Sequence, residues 1–415
     1  MRRTRTKGGR GLVCLAMTFL LLGWQASGRA QAQQAPATGD TRAALIARQQ
    51  QEKSKQVKPY EPNKAEVWVK KLEQQFITGS MRWHPFFQSA YRGGGFTVGA
   101  GYAAPVSAYN TLDFRGSYTI TGYKRAEVAF TAPRLFNRRG ALTVIGGWRE
   151  ATQVGFFGIG TDNTSADDRT NYSFKQPYGS ALLEVRPARN WFVLAGGAEY
   201  SQWDQNPGKG TTWPSVEEVY TPATLPGLGA KVTYMHLQGT AAIDWRTSPG
   251  YSRRGGLYAA TFHDYKDADD TYGFQQVDYD VIQHLPLGRD AWVLSLHGRV
   301  ETTYGKDGEV IPFFMLPSLG GGSDLRGYSS WRFRDRHSLL LQAEWRVLVN
   351  SFFDTALFYD AGKVAASRSD LDFDGLKSDY GIGIRLHGPA ATPLRIEFAK
   401  SNEGLALVFS ANSAF

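Results

Sequence analysis

The sequence predicts an all-β fold, a transmembrane antiparallel β-barrel of about 16 strands. Three observations lead to this prediction. From about residue 81 onward, apolar residues recur at every second position in segments of strand length. The connections between these segments alternate between short and long. Beyond residue 32 no apolar run reaches the roughly 18 residues that a membrane-spanning helix needs, although the chain holds 24 Phe, 20 Tyr and 11 Trp.

The amino-terminal segment, residues 1–32, is predicted to be a cleaved export signal. Arg2, Arg3, Arg5, Lys7 and Arg10 precede an apolar run, and the small residues of an A-x-A cleavage motif, 30–32, follow it. The apolar run is short for a membrane anchor of roughly 20 residues. We therefore expect export, and localisation in the outer membrane of a Gram-negative cell.

Removal of this signal alters the composition of the chain. Residues 1–32 contain six Lys/Arg and no Asp/Glu, so the formal net charge would fall from +9 to +3 and gives no reason to expect nucleic-acid binding. The only cysteine, Cys14, would leave with the signal, so no thiol or disulfide chemistry is expected. The seven histidines are dispersed, and no lysine of a phosphate loop follows the glycine runs 93–95 and 320–322. No metal or cofactor is expected.

Residues 33–80 are predicted to form a polar periplasmic lead, since the segment is rich in Gln and Lys and carries Pro59 and Pro62. Within it, 64–77 is predicted to be a short amphipathic helix, because Trp68, Leu72 and Phe76 are four residues apart. This helix could rest at the mouth of the barrel or be threaded into its lumen.

The barrel itself is predicted over residues 81–415. Its sixteen candidate strands are centred near residues 86, 99, 114, 127, 145, 178, 196, 238, 260, 278, 296, 343, 358, 381, 396 and 407. The late strands alternate most clearly. On one of them the apolar face is Leu341, Ala343, Trp345 and Val347, and the polar face is Gln342, Glu344 and Arg346. Such alternation is typical of strands that face lipid on one side and a polar lumen on the other.

The connections support an even number of strands. Those after even-numbered strands include short segments with proline, 133–139, 187–189, 285–289 and 387–392. Those after odd-numbered strands include the longest, 151–170, 203–229, 304–336 and 365–375. Short turns on the periplasmic side and long loops outside are typical of transmembrane barrels, whereas a soluble sandwich has no reason to separate them.

The last predicted strand places Leu405, Leu407 and Phe409 on one face and continues in phase to Phe415. A terminal aromatic residue in phase with the lipid face resembles the carboxy-terminal assembly signal of outer-membrane barrels.

The connection between the eleventh and twelfth predicted strands contains LGGGSDLRGY at 319–328. The tetrad Leu325, Arg326, Gly327 and Tyr328, the triplet Glu344-Trp345-Arg346 and the run FYDAG at 358–362 occur in this order on successive elements. In these features the sequence resembles the BamA/TamA outer-membrane barrel superfamily, also called the bacterial surface antigen family. The resemblance implies that the sixth extracellular loop folds back into the lumen, where Arg326 meets Glu344 and Asp360.

A guanidinium group suits this contact, because its planar fork can donate two parallel hydrogen bonds to a carboxylate. In two respects the sequence differs from the family. Residues 33–80 show no pattern of the periplasmic POTRA domains, so a barrel-only member is expected. The glycine that often bends the last strand is also replaced, by Ala411-Asn412-Ser413.

Three functions remain open on this basis. The first is an assembly or translocation factor, not an enzyme, in which a seam between residues 82–90 and 403–411 handles an unfolded protein or a lipid client with a periplasmic or membrane partner. The second is a passive pore. The third is an outer-membrane hydrolase, for which His263, Asp264, His284 and His297 are available without a recognisable Ser/His/Asp spacing. In each case the expected surroundings are outer-membrane lipid and lipopolysaccharide. Sequence alone does not identify the client.

Overall fold

The computed structural model describes residues 49, 52, 82–162, 165–188, 190–388 and 392–410. Gln49 and Glu52 are helical. The predicted export signal, the rest of the predicted lead with its helix at 64–77, and Phe415 lie outside the described residues. Every element below belongs to the second of the two units into which the chain divides, Gln74–Phe415.

Sixteen strands form one antiparallel sheet, in which each strand pairs with the next one along the chain. They are β1 (Trp83–Pro85), β2 (Thr97–Pro105), β3 (Thr111–Thr119), β4 (Lys124–Arg134), β5 (Gly140–Phe156), β6 (Thr170–Val185), β7 (Phe192–Pro207), β8 (Lys231–Asp244), β9 (Gly255–Asp267), β10 (Phe274–Leu287), β11 (Arg289–Gly305), β14 (His337–Leu348), β15 (Phe353–Ala365), β16 (Lys377–Leu386), β17 (Leu394–Ser401) and β18 (Gly404–Ser410). This confirms the predicted number of strands and their antiparallel order.

The predicted strand centres agree with these bounds, except that residue 86 lies one residue beyond β1. Several predicted connections overlap the observed strands, among them 203–229, since β7 extends to Pro207. β5 extends to Phe156, so the connection predicted at 151–170 shrinks to 157–169, and the turn predicted at 285–289 reduces to Gly288. Pro133 lies in β4 and not in a turn. It follows Ala132, the last residue of β4 that pairs with β5, so its missing N–H costs no hydrogen bond of that ladder.

The connection after β11 contains structure that the periodicity did not predict. Two strands of two residues, β12 (Ser318–Leu319) and β13 (Phe333–Arg334), pair with each other there. The short helical segments of the described chain are Ala166–Asp168, Val216–Val219, Phe313–Met315 and Arg368–Asp370. Leu135–Arg138 forms a turn in which Phe136, Asn137 and Arg138 have positive φ. No helix among the described residues is long and apolar enough to cross a membrane.

The two faces of the sheet differ as the alternation predicts. On β14, Glu344 is 2% exposed whereas the neighbouring Trp345 is 39% exposed. On β17, Glu397 is buried and Phe398 is exposed. We call the side with Glu344 and Glu397 the polar face and the opposite side the apolar face. Charged residues lie on the buried side, so they need partners there.

The sheet curves strongly, because residues far apart in strand order are bonded to each other. Tyr251, in the connection after β8, donates a hydrogen bond to Asp354 on β15 at 2.9 Å. Val364 on β15 donates its backbone N–H to Thr161, in the connection after β5, at 2.9 Å. Within the described residues, however, β1 pairs only with β2 and β18 only with β17. The predicted closed barrel is therefore seen as a curved sheet with unpaired edges, and β1 offers only three residues for pairing.

Candidate functional site

The connection after β11 supplies the centre of the candidate site. We call residues 318–334 the buried loop, because most of its side chains are shielded from solvent. Gly320 and Gly321 have φ of +115° and +99°, which glycine adopts at little cost. An apolar cluster attaches the buried loop to β14 and β15, and its members are Leu319, Leu325, Tyr328, Phe333, Leu340 and Val364.

Arg326 lies at the middle of the buried loop and binds three carboxylates on the polar face. Its Nε and Nη2 donate to the two oxygens of Asp360 on β15 at 2.6 and 2.7 Å. Its Nη1 donates to Glu344 on β14 at 3.2 Å and to Glu397 on β17 at 3.0 Å. The guanidinium carbon also lies 3.5 Å from the ring centroid of Phe358. One side chain thus connects the buried loop to three strands.

Further arginines share the same carboxylates. Arg385 on β16 donates through Nη1 to Glu344 at 2.5 Å and through Nη2 to Glu397 at 3.2 Å. Arg395 on β17 lies 3.2 Å from Glu397. Charges this deeply buried are tolerated only when each has partners of opposite sign. Of these residues, the carboxylates Glu344 and Asp360 were predicted from the sequence, whereas Glu397, Arg385 and Arg395 were not.

Asp379 on β16 is a buried carboxyl group at the edge of this cluster. It lies directly opposite Asp360 in the strand register, and neither of its side-chain oxygens has a hydrogen-bond partner among the described residues. Asp379 was not predicted from the sequence as part of this site. The alternation along β16 places it on the polar face, but alternation does not indicate which residues of that face contact the buried loop.

A second attachment holds the buried loop at Asp324. This carboxylate accepts from Arg299 on β11 at 2.9 Å and forms a short ion pair with Arg92, which precedes β2. Burial alone would raise the pKa of Asp324, but these two guanidinium groups hold that pKa below its usual value. Arg92 also lies 4.1 Å from the ring centroid of Trp331. The buried loop is therefore bonded to the segment that joins β1 and β2.

A third attachment joins the buried loop to the last hairpin. The hydroxyl of Tyr328 donates to Asn402 at 2.7 Å, and Arg332 donates to Glu403 at 2.8 Å. Asn402 and Glu403 form the turn between β17 and β18. Together with the contact at Arg92, these bonds place the buried loop against the chain beside both edges of the sheet.

Gly327 is needed for close approach between the buried loop and the strands. A Cβ added at Gly327 would lie 2.7 Å from Cβ of Asp379 and 3.0 Å from Cβ of Ser401. Gly327→Ala is therefore expected to lower the free energy of unfolding by about 1 to 3 kcal/mol, as overpacking does. Denaturant titration of the refolded protein measures the change. Gly239→Ala on β8 is the matched control, because a Cβ there has no neighbour within 4 Å; equal effects of the two variants would contradict this reading.

The histidines considered for a hydrolase do not assemble into a triad among the described residues. His263 contacts Asp278 at 3.1 Å and His236 at 3.0 Å, while the adjacent Asp264 pairs with Lys306 at 3.0 Å. Ser295 lies 2.8 Å from His284, but its side chain is fully buried. His297 contacts the amide of Gln342 at 2.7 Å. None of these groups presents an accessible nucleophile.

Phe409 lies on β18 and is 64% exposed on the apolar face, with Leu405 and Leu407 on the same side. Phe415, the other half of the predicted terminal signal, lies outside the described residues. The assembly signal therefore stays a prediction.

Comparison with known proteins places the chain in a family. The model of the Omp85 superfamily domain matches residues 50–406. Among solved structures, BamA from Haemophilus ducreyi lacking POTRA domains 1-3 is similar with a TM-score of 0.56 and 15% identity, covering 79% of this chain and 67% of that one. CdiB from Escherichia coli is similar with a TM-score of 0.50 and 12% identity, covering 79% and 61%. No curated protein matches the sequence. The chain thus spans about two thirds of the length of these structures, and identities this low show the fold alone.

Proposed function

We propose that this chain, which belongs to the Omp85 superfamily of outer-membrane β-barrels, receives an extended polypeptide client at the edges of its sheet and assists its insertion or translocation. Within the described residues the outer edges of β1 and β18 have no strand partner, and these edges carry this proposal. An unpaired strand edge presents a row of free N–H and C=O groups, which an extended chain can bind by adding a strand. We call the two edges together the seam.

The buried loop supports the seam in this proposal. It contacts Arg92 beside β1 and Glu403 beside β18, so it bridges the two edges from the polar face. We propose that the sheet surrounds a lumen in the membrane and that the buried loop lies inside it. The Arg326 cluster would then fix the loop while the seam pairs with a client. We assign no enzymatic role, and delivery of the client would require a partner.

A passive pore is the alternative function, and the packing of the long connections disfavours it. Phe313 and Phe314 from the connection after β11 pack among aromatic residues of several strands and loops. Phe313 contacts Phe156 and Tyr172 with ring centroids 5.2 and 4.9 Å apart. A wide, steadily conducting channel needs open space where the aromatic residues around Phe313 and Phe314 lie.

A second segment would obstruct a channel at the other end of the strands, where the short connections lie. The connection between β8 and β9, residues 245–254, reaches across to the opposite strands. Tyr251 stacks on His387 at 4.0 Å and donates to Asp354, and Thr392 donates to the carbonyl of Gly250 at 3.2 Å. Burial and the nearby Asp354 raise the pKa of Tyr251, so its hydroxyl stays protonated and can donate.

Conductance measurements distinguish the two functions. In planar bilayers the intact protein is expected to conduct weakly and intermittently. Replacement of residues 313–334 by a short Gly/Ser linker, combined with Gly/Ser replacement of residues 246–253, is expected to raise the conductance severalfold, since the two changes remove both obstructions. Heat-modifiable migration in electrophoresis serves as the control that the variant still folds. Large and steady conductance of the intact protein would favour the pore.

The experiment that tests the proposed function is photocrosslinking from the seam in living cells. A photoreactive residue at Trp83 or Leu407, 66% and 52% exposed on the edge strands, is expected to capture unfolded or nascent outer-membrane polypeptides. Val281 on β10, 45% exposed and far from the seam, is the matched control. Equal capture at all three positions would overturn the proposal. Capture of lipid alone at the seam would also overturn it, and would identify a lipid client.

A further inference from the structure

The connections at the two ends of the sheet carry opposite charge. The short ones, which follow even-numbered strands of the sheet, are residues 106–110, 135–139, 186–191, 245–254, 288, 349–352 and 387–393. Together they contain seven arginines and no Lys, Asp or Glu. The connections at the other end contain nine Lys/Arg against fifteen Asp/Glu. Such a separation of charge gives the short-connection end a positive potential.

Several of these arginines are free to bind an external anion. Arg138, Arg139 and Arg254 are exposed, and within the described part of the chain none of them forms an ion pair with a carboxylate. The guanidinium group of Arg139 donates to the carbonyl of Pro187 at 3.1 Å. By contrast, Arg186 and Arg246 are each paired at 3.0 Å with a carboxylate two residues away. Exposed guanidinium groups without a carboxylate partner suit phosphate groups, which accept two hydrogen bonds from the planar fork.

Exposed aromatic residues lie at the same end of the sheet. The arginines Arg138 and Arg139 follow Phe136, which is 61% exposed. The other exposed aromatic residues in or beside the short connections are Tyr109, Trp191, Trp245 and Phe352. Aromatic side chains concentrate where a membrane meets water, at the level of the lipid headgroups. The exposed arginines and these aromatic residues thus lie at the same end of the strands.

We infer that the short-connection end binds the phosphate headgroups of anionic phospholipids through Arg138, Arg139 and Arg254. Short turns of such barrels face the periplasm, so these lipids would belong to the periplasmic leaflet. An acidic protein would account for the positive charge, but it would not require exposed aromatic residues at the ends of several strands. A lipid surface uses both features, because the rings enter the interface while guanidinium groups bind phosphate. The inference requires only that the sheet spans the membrane.

Native mass spectrometry of the full-length folded protein in detergent tests this inference. Phosphatidylglycerol is titrated against phosphatidylethanolamine, and bound lipid is counted. The variant Arg138→Gln/Arg139→Gln/Arg254→Gln is expected to bind phosphatidylglycerol more weakly by about fivefold per arginine removed, with phosphatidylethanolamine binding unchanged. Added salt is expected to reduce phosphatidylglycerol binding to the wild type and to narrow this difference.

The matched control replaces three exposed lysines at the opposite end of the strands, Lys175→Gln/Lys231→Gln/Lys266→Gln. It is expected to retain wild-type phosphatidylglycerol binding. Equal losses in the two triple variants would indicate a response to net charge alone and would overturn the inference. Unchanged binding in the arginine variant would overturn it too, and an acidic periplasmic protein would then be the ligand to seek. Heat-modifiable migration checks that both variants fold.

Discussion

Arg326→Ala is expected to lower the free energy of unfolding by about 3 to 5 kcal/mol, the cost of removing one partner from a buried ion pair. Arg326 donates to Asp360, Glu344 and Glu397, all of which are fully buried. The largest part of this loss is expected at Asp360, because both of its oxygens accept from Arg326. Its neighbour in the strand register, Asp379, is another carboxyl group. Heat-modifiable migration and the urea midpoint of the refolded protein measure the loss.

Two further variants test the specificity of this effect. Arg326→Lys keeps the charge and is expected to recover only part of the stability, since an ammonium group cannot reproduce the two parallel bonds to Asp360. Arg336→Ala removes an exposed arginine two residues beyond the buried loop and is expected to change the midpoint little. A fully stable Arg326→Ala variant would show that the buried loop is held without its central arginine.

Glu344→Gln is expected to be comparably destabilising, although it preserves the size of the side chain. Glu344 accepts from Arg326 and from both Nη1 and Nη2 of Arg385. The Nε of Arg346 lies 3.8 Å from the same carboxylate. Loss of this one charge leaves several buried guanidinium groups with too few carboxylates. The expected loss is again about 3 to 5 kcal/mol, measured as a shift of the urea midpoint.

A double variant separates the effect of charge balance from the effect of losing hydrogen bonds and packing. Glu344→Gln/Arg385→Gln removes one charge of each sign and is expected to be more stable than Glu344→Gln alone. Contacting residues commonly show such coupling in a double-mutant cycle, with interaction energies of about 0.5 to 3 kcal/mol. Additive losses from the two substitutions would indicate that the charges do not compensate each other.

The strands were predictable because their signal is local. Alternation along a segment such as Leu341 to Val347 depends only on the side chains of that segment, and it separates the polar from the apolar face. The pairs β12 and β13 were not predictable in this way, since two residues contain no period. The closure of the barrel was expected from this alternation and from the absence of a membrane-spanning apolar run, and the edges left unpaired within the described residues correct that expectation.

The site was predictable only in part. The tetrad at Arg326, with Glu344 and Asp360, was identified through resemblance to a family. Glu397 and Arg385 belong to the same cluster, but their strands follow the buried loop by more than forty residues. The pairing of Arg92 with Asp324 spans 232 positions. Such contacts depend on the path of the buried loop across the sheet, which no local pattern encodes.

The Arg326 cluster is expected to hold the buried loop against the polar face of the sheet, and cysteine labelling in intact cells measures this attachment. The only native cysteine is Cys14, so Ser318→Cys and Ser329→Cys report on one buried and one exposed position of the same loop. A membrane-impermeant maleimide is expected to label Ser329→Cys readily and Ser318→Cys only when Arg326→Ala is also present. Labelling of Ser318→Cys as fast as Ser329→Cys in the presence of Arg326 would show that Arg326 does not hold the buried loop in place.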